Sequence, residues 1–139
     1  MMDKNMAVEV REAREAGVRA LNSLRLAQRY LKKAGNWGIV DILGGGVISS
    51  LIKHSRISEA QACVQQAEAD LDTFRRELAD IRVPDLQIGG FLTFADFFFD
   101  GLLSDLLVQS RIREAIRRLD DACRQVEDVL RQLPADNIG

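Results

Sequence analysis

The chain has 139 residues, of which 47% are hydrophobic and 29% are charged, and its formal net charge is −2. This length and composition predict one globular domain over residues 1–139, with enough apolar residues to form a core. The small negative charge argues against nucleic-acid binding, because proteins of that class usually carry a basic surplus. The N-terminal residues lack the apolar segment of a signal peptide, and the most apolar run, 88–108, contains aspartates. We therefore expect no membrane span and a cytoplasmic location.

Residues 8–33 predict a long first helix, because apolar and small residues recur every seven positions. One row consists of Val10, Gly17, Leu24 and Leu31, and the other of Ala13, Ala20 and Ala27. Gly35 is a natural stop for this helix, and the segment 36–38 predicts a turn.

The next segment, 39–54, predicts a short helix that contains three consecutive glycines at 44–46. It is either a helix held by packing or a short helix broken at the glycines, since each glycine costs roughly 1 kcal/mol relative to alanine. The glycines do not predict a phosphate-binding loop, because no strand precedes them and the Gly-Lys-Ser/Thr ending is absent.

Two more long helices are predicted at 57–81 and 112–133, again from seven-residue rows. The rows of the former contain Ile57, Val64, Leu71, Leu78 and Ala60, Ala67, Phe74, Ile81; those of the latter contain Ile112, Leu119, Val126, Leu133 and Ala115, Ala122, Val129. Ser55 and Ser110 are placed to cap their first turns. Between them, Pro84 ends the helical pattern. A second short helix, 91–109, is apolar on nearly all sides.

The segments 41–78 and 96–133 show an internal similarity at a spacing of 55 residues. Asp41, Gly46, Ser49, Ser55 and Arg56 recur as Asp96, Gly101, Ser104, Ser110 and Arg111. A common helical periodicity explains matches at apolar sites but not these polar and glycine matches. We therefore predict an all-α bundle of three long and two short helices, with a duplicated unit of one short and one long helix.

The polar residues of the two short helices form a candidate ligand site. Its members are Asp41, Ser49, Lys53, His54, Asp96, Asp100 and Ser104. Three interpretations stay open: a solvent-facing stripe, two stripes bonded to each other inside the bundle, or a small site for a cation or ligand. A metal centre is not expected, because His54 is the only histidine and no Glu-x-x-His motif occurs. The sequence implies no cofactor and identifies no catalytic residue, although a Ser/His/Asp triad stays open as an alternative because its members need not be close in sequence. The isolated Cys63 and Cys123 are expected to be small core residues in a reducing compartment.

Five of the six phenylalanines lie within residues 91–99. The alternatives are packing in the core or an interface with a second copy or another protein, since an all-round apolar helix is hard to cover in a small monomer. Insertion into a membrane surface would need a basic face, which this segment lacks. The candidate interface residues are Phe91, Phe94, Phe98 and Phe99.

The stretch 36–60 resembles a motif of small all-helical bacterial proteins of uncharacterised function. The resemblance is carried by Asn36-Trp37-Gly38, Asp41, Leu43-Gly44-Gly45-Gly46, Ser49 and Lys53-His54-Ser55. It implies a bacterial, cytosolic, helical protein and brings no activity with it. From the residues themselves we predict a non-enzymatic interaction or structural protein that self-associates through the Phe-rich short helix. The alternative is a bundle that binds a small ligand or cation through Asp41, Asp96 and their neighbours.

Overall fold

A computed structural model of the chain describes the backbone of residues 4–44, 47–81, 87–98 and 112–134. Side chains are described for residues 5–33, 58–81, 87–98 and 112–134. Within these ranges the chain forms four helices and no strands: α1 (Lys4–Gly44), α2 (Val47–Ala79), α3 (Gly89–Phe98) and α4 (Ile112–Gln132). The predicted all-α class is confirmed, whereas the prediction of five helices is not.

The first two helices are longer than the sequence predicts. The predicted stop at Gly35 and the turn at 36–38 are wrong, because α1 continues to Gly44. The predicted short helix 39–54 is divided between the end of α1 and the beginning of α2. A single glycine in a helix interior costs only roughly 1 kcal/mol, which packing between two long helices can offset. The described part of α1 ends at Gly44 and α2 begins at Val47, and the two glycines between them lie outside the described residues.

The predicted helix cap at Ser55 is also wrong, because this residue lies inside α2, eight positions after Val47. Its counterpart Ser110 lies outside the described residues. The predicted helix 112–133 is confirmed as α4. Of the predicted short helix 91–109, the part up to Phe98 is helical, and the remainder lies outside the described residues.

Helix α1 packs against both α2 and α4. The hydroxyl of Ser23 donates a hydrogen bond to Asp70 of α2, and an added Cβ at Gly17 would meet the ring of Phe74. Gly17 comes before Ser23 in α1, but its neighbour Phe74 comes after Asp70 in α2, so these two helices are antiparallel. Between α1 and α4, Gln28 Nε2 donates to the carbonyl oxygen of Ile116 at 3.2 Å, and Arg25 pairs with Glu127 at 2.9 Å.

The guanidinium group of Arg14 fixes the other end of this contact. It donates to the carbonyl oxygen of Leu133 at 3.1 Å and also to that of Pro134. These carbonyls follow the last turn of α4, where backbone acceptors have no partner inside the helix and a positive charge is favourable. Since Arg14 meets residue 133 and Gln28 meets residue 116, α4 is antiparallel to α1 and thus runs in the direction of α2.

The buried side chains belong to one cluster that includes residues of all four helices. The predicted seven-residue rows are confirmed as its main component, apart from Ile57, whose side chain lies outside the described residues. In α1 the buried members are Val10, Ala13, Ala20, Leu24, Ala27 and Leu31; in α2 and just after it they are Ala60, Val64, Ala67, Leu71, Phe74, Leu78 and Ile81; in α4 and at the residue after it they are Ile112, Ala115, Leu119, Ala122, Val126, Val129 and Leu133. The hydrophobic repeat therefore identifies the faces that hold the bundle together.

Residues 55 positions apart, such as Val64 and Leu119 or Leu71 and Val126, are buried in both helices. This equivalence also follows from a shared heptad periodicity, so it does not separate duplication from common periodicity. The polar matches that favoured duplication involve Asp41, Ser49 and Ser104, whose side chains lie outside the described residues. The internal duplication stays a prediction.

Candidate functional site

Helix α3 lies in the groove between α2 and α4, and a polar contact with α4 fixes it at each end. Before α3 begins, the side-chain amide of Gln132 accepts from the backbone N–H of Gln87 at 2.8 Å and donates to its carbonyl oxygen at 3.2 Å. At the other end, Arg118 donates to the carbonyl oxygen of Phe98. Because residue 87 meets residue 132 and residue 98 meets residue 118, α3 is antiparallel to α4. This double attachment determines which side of α3 faces the bundle.

The inner side of α3 is formed by two of the predicted interface phenylalanines. Phe91 is buried against Phe74 of α2, with ring centroids 5.4 Å apart. Phe98 is buried as well, and the guanidinium group of Arg118 lies 5.7 Å from the centroid of its ring. Both rings are thus occupied in packing within one chain, as the seven-residue interval between them requires on a helix. Phe99, the last predicted interface residue, lies outside the described residues.

The outer side of α3 presents Phe97 and the half-buried Phe94. The side chain of Phe97 is the most exposed large apolar group among the described residues, at 63%. Phe94 packs on Phe98 with ring centroids 5.1 Å apart, and its side chain is only partly buried. Together these rings line a groove of about 310 Å³ whose other walls are Thr93, Arg118 and Asp121. Phe94 also borders a second groove, along α4, of about 530 Å³.

The residue that sequence reasoning missed is Phe97. It is six positions after Phe91, which on a helix with 3.6 residues per turn places it about 120° away from the buried ring. The periodicity therefore contained a signal for an outward-facing Phe97, once Phe91 and Phe98 are assigned to the inner side. An apolar centre with charged residues at its rim is the usual composition of a protein–protein interface. The outer side of α3 is accordingly the candidate functional site.

Of the predicted polar ligand site, Asp96 is the member whose side chain the structure describes. Its carboxylate pairs with Nη1 of Arg75 at 2.7 Å, and Nη2 of Arg75 pairs with Asp72 at 2.6 Å. The hydrogen bond and negative charge of Asp72, together with those of Asp96, raise the pKa of Arg75. The Asp96 side chain is half exposed and borders a groove of about 530 Å³ between α2 and α3. Asp96 thus serves as a link between two helices.

The remaining members of the predicted polar site cannot be placed relative to Asp96. The side chains of Asp41, Ser49, Lys53 and His54, and the whole of Asp100 and Ser104, lie outside the described residues. Among the side chains that are described, no group of three or more His, Cys, Asp or Glu residues is arranged to hold a metal ion. The geometry of this site therefore rests on the pair formed by Asp96 and Arg75.

We expect the substitution Asp96→Asn to have a small effect on stability. It removes the negative charge opposite Arg75 but leaves Asp72 as a partner, and exposed ion pairs are screened by water. The melting temperature should fall by less than about 3 °C in a thermal unfolding experiment followed by circular dichroism. The substitution Glu127→Gln, which removes the negative charge opposite Arg25 in an exposed pair between α1 and α4, is the matched control. A fall of 10 °C or more specific to Asp96→Asn would contradict the assignment of Asp96 to an exposed surface pair.

The two cysteines are free thiols, of which Cys123 is buried and Cys63 is partly buried. Burial raises the pKa of Cys123 to about 11, and it also raises the pKa of Cys63, to which the nearby charge of Glu59 contributes. A thiol with a raised pKa has little reactive thiolate at neutral pH, which is the reverse of what a nucleophile needs. The environment of these residues supports a packing role.

Comparisons with known proteins found no relative of this chain. The chain matches no known protein family, no curated protein and no solved structure. None of the described helices is long and apolar enough to cross a membrane. The resemblance of residues 36–60 to uncharacterised helical proteins stays a prediction.

Proposed function

We propose that this chain is a non-enzymatic helical interaction protein of the cytoplasm that forms a homodimer through the outer side of α3. The observation that carries the proposal is the 63% exposure of Phe97 beside the half-buried Phe94. Exposing a phenylalanine to water is unfavourable, and burying its ring fully is worth roughly 1.5–3 kcal/mol. A second copy that covers this surface would recover the share of that free energy that belongs to the exposed part of the ring, once in each chain of a twofold-symmetric dimer.

The rigid attachment of α3 further supports an interface. Its two ends are bonded to Gln132 and Arg118 of α4, and Asp96 is paired with Arg75 of α2. A surface that is held in place before binding loses little conformational entropy when a partner docks. Aromatic side chains in such a position are typical of residues that dominate binding energy.

The alternative function, binding of a small ligand or cation through Asp41 and Asp96, has less support. The carboxylate of Asp96 already has a guanidinium partner at 2.7 Å, which a cation would have to displace. Thermal shift measurements with metal ions and metabolites test this alternative. A ligand that stabilises the wild type but not the Asp96→Asn variant would favour it over the homodimer.

Sedimentation equilibrium of the wild type and the Phe97→Asp variant tests the homodimer. We expect the wild type to show twice the mass of the monomer and the variant to be monomeric, because a carboxylate at this position must lose its hydration in the interface. Phe97 is chosen over Phe98, because Phe98 is buried and its replacement would disrupt the fold.

The matched control is Val18→Asp, which places the same charge at an exposed apolar residue of α1. This variant should keep the mass of the wild type, and circular dichroism should show that both variants keep their helices. A wild type that is monomeric at the highest measurable concentration would overturn the proposal. So would a Phe97→Asp variant that still dimerises as strongly as the wild type.

A further inference from the structure

A stripe of alternating charge runs along the exposed face of α4. It consists of Glu114, Arg117, Asp121, Arg124, Asp128 and Arg131, with more than half of each side chain exposed. Successive members are separated by three or four residues in turn, so they lie on one face of the helix. Their signs alternate from negative at Glu114 to positive at Arg131. We call these six residues the charged stripe.

The order of the signs makes the charged stripe complementary to a reversed copy of itself. When two copies run antiparallel about a point between Asp121 and Arg124, Asp121 of one copy lies opposite Arg124 of the other. In this arrangement every residue of the stripe faces a residue of the other sign. The pairs are Glu114 with Arg131, Arg117 with Asp128 and Asp121 with Arg124. A parallel arrangement in register would instead place every charge opposite an identical one, which is unfavourable. The pattern therefore favours one orientation.

The centre of the stripe lies beside the exposed phenylalanine. Asp121 and Phe97 line the same groove, together with Phe94. Phe94 also shares the groove along α4 with Asp121, Arg124 and Asp128. A twofold axis between Asp121 and Arg124 thus brings the apolar side of α3 and the charged stripe of both copies to one contact surface. The apolar rings supply a core, and the stripe supplies a charged rim.

We propose that in the homodimer the two α4 helices run antiparallel and that the charged stripe fixes their register. This inference rests on the proposed self-association and adds to it the orientation and the pairing residues. The occupant is a second copy of the chain, because a stripe that is complementary to its own reversal matches a twofold-related copy without any other partner.

Pairs within α4 leave the stripe able to bind a second copy. Arg117 lies 3.9 Å from Glu114, Arg124 lies 4.0 Å from Asp121, and Arg131 lies 3.3 Å from Asp128. Arg124 also has a closer partner, Asp120, at 2.8 Å. A guanidinium group has five N–H donors and a carboxylate has about four acceptor positions, so one pair inside the helix does not saturate either group. Pairs across the interface add to those along α4.

Charge reversal at the centre of the stripe tests this arrangement. Asp121→Arg and Arg124→Asp each place like charges opposite each other twice, because the twofold axis repeats the change. We expect the dimer dissociation constant of each variant, measured by sedimentation equilibrium, to rise roughly tenfold.

An equimolar mixture of the two variants is the second test. A chain with Asp121→Arg and a chain with Arg124→Asp are complementary at both central pairs. Native mass spectrometry should show mainly the mixed dimer, with a dissociation constant within about threefold of the wild type.

Two comparisons separate this inference from the proposed homodimer. Arg11→Asp, at an exposed residue of α1, changes the net charge as Arg124→Asp does and should leave the dissociation constant unchanged. If the wild type dimerises and Phe97→Asp abolishes the dimer, but the mixture of reversed variants binds no more tightly than each alone, the antiparallel register is overturned and the homodimer stands. A monomeric wild type overturns both.

Discussion

Replacing Phe74 with alanine is expected to lower the free energy of unfolding by about 3–5 kcal/mol. Among the side chains that the structure describes, Phe74 is the largest that is fully buried, and it lies on α2. Its ring packs against Phe91 of α3 and lies next to Gly17 of α1, beside Leu130 of α4. The truncation therefore leaves a cavity where all four helices meet, in addition to the lost transfer free energy. Urea denaturation followed by circular dichroism measures the change.

The matched control for Phe74→Ala is Phe97→Ala, which removes the same atoms from an exposed site of α3. We expect this control, measured in dilute solution, to change the free energy of unfolding by less than about 1 kcal/mol. Equal losses for the two variants would contradict the position of Phe74 at the helix junction.

The burial of Phe74 illustrates what could be predicted from the sequence alone. Phe74 belongs to a row with Ala60, Ala67 and Ile81, and every residue of that row is buried. A repeat of seven residues specifies one face of a helix whatever the partner is, because apolar side chains must leave water on some neighbouring element. The faces of α1, α2 and α4 were therefore predictable without knowledge of how the helices are arranged.

The helix boundaries near 35–55 were not predictable in this way. Glycine at positions 35 and 38 disfavours helix locally by roughly 1 kcal/mol each, and the serine at position 55 is a favourable cap. Both effects are local, and neither reports the long antiparallel contact between α1 and α2. That contact joins residues far apart in sequence, such as Ser23 and Asp70, and no local pattern reports it.

The candidate site was predictable in composition but not in orientation. The cluster of phenylalanines at 91–99 indicated an important apolar helix, yet which rings face outward depends on how α3 is rotated. That rotation is set by contacts with distant residues, such as Phe91 with Phe74 and Asp96 with Arg75. The partner of Asp96 was likewise not predictable, because Arg75 lies on another helix. The sequence thus indicated the apolar helix, and the tertiary contacts leave Phe97 exposed on it.

Replacing Gly17 with leucine is expected to destabilise the fold by about 3 kcal/mol. Gly17 belongs to one of the two seven-residue rows of α1, and the other members of its row all carry larger side chains. A Cβ added there would lie 2.7 Å from Cδ2 of Leu130 and 2.9 Å from two ring carbons of Phe74. These distances are below van der Waals contact, so both neighbours must move, and Phe74 is fully buried. Even Gly17→Ala should destabilise, because overpacking of about 1–3 kcal/mol exceeds the roughly 1 kcal/mol gained in helix propensity.

The control for Gly17→Ala is Gly90→Ala in the first turn of α3, where an added Cβ meets nothing within 4 Å. This variant should be neutral or more stable than the wild type by up to about 1 kcal/mol, since only helix propensity changes. An increase in stability of Gly17→Ala would show that the helix junction accommodates the added methyl group.

The double variant Gly17→Ala with Phe74→Leu gives the sharpest test, because the smaller side chain vacates the space that the new methyl group needs. Its loss in unfolding free energy should be smaller than the sum of the two single losses, and additive values would mean that Gly17 and Phe74 are not in contact.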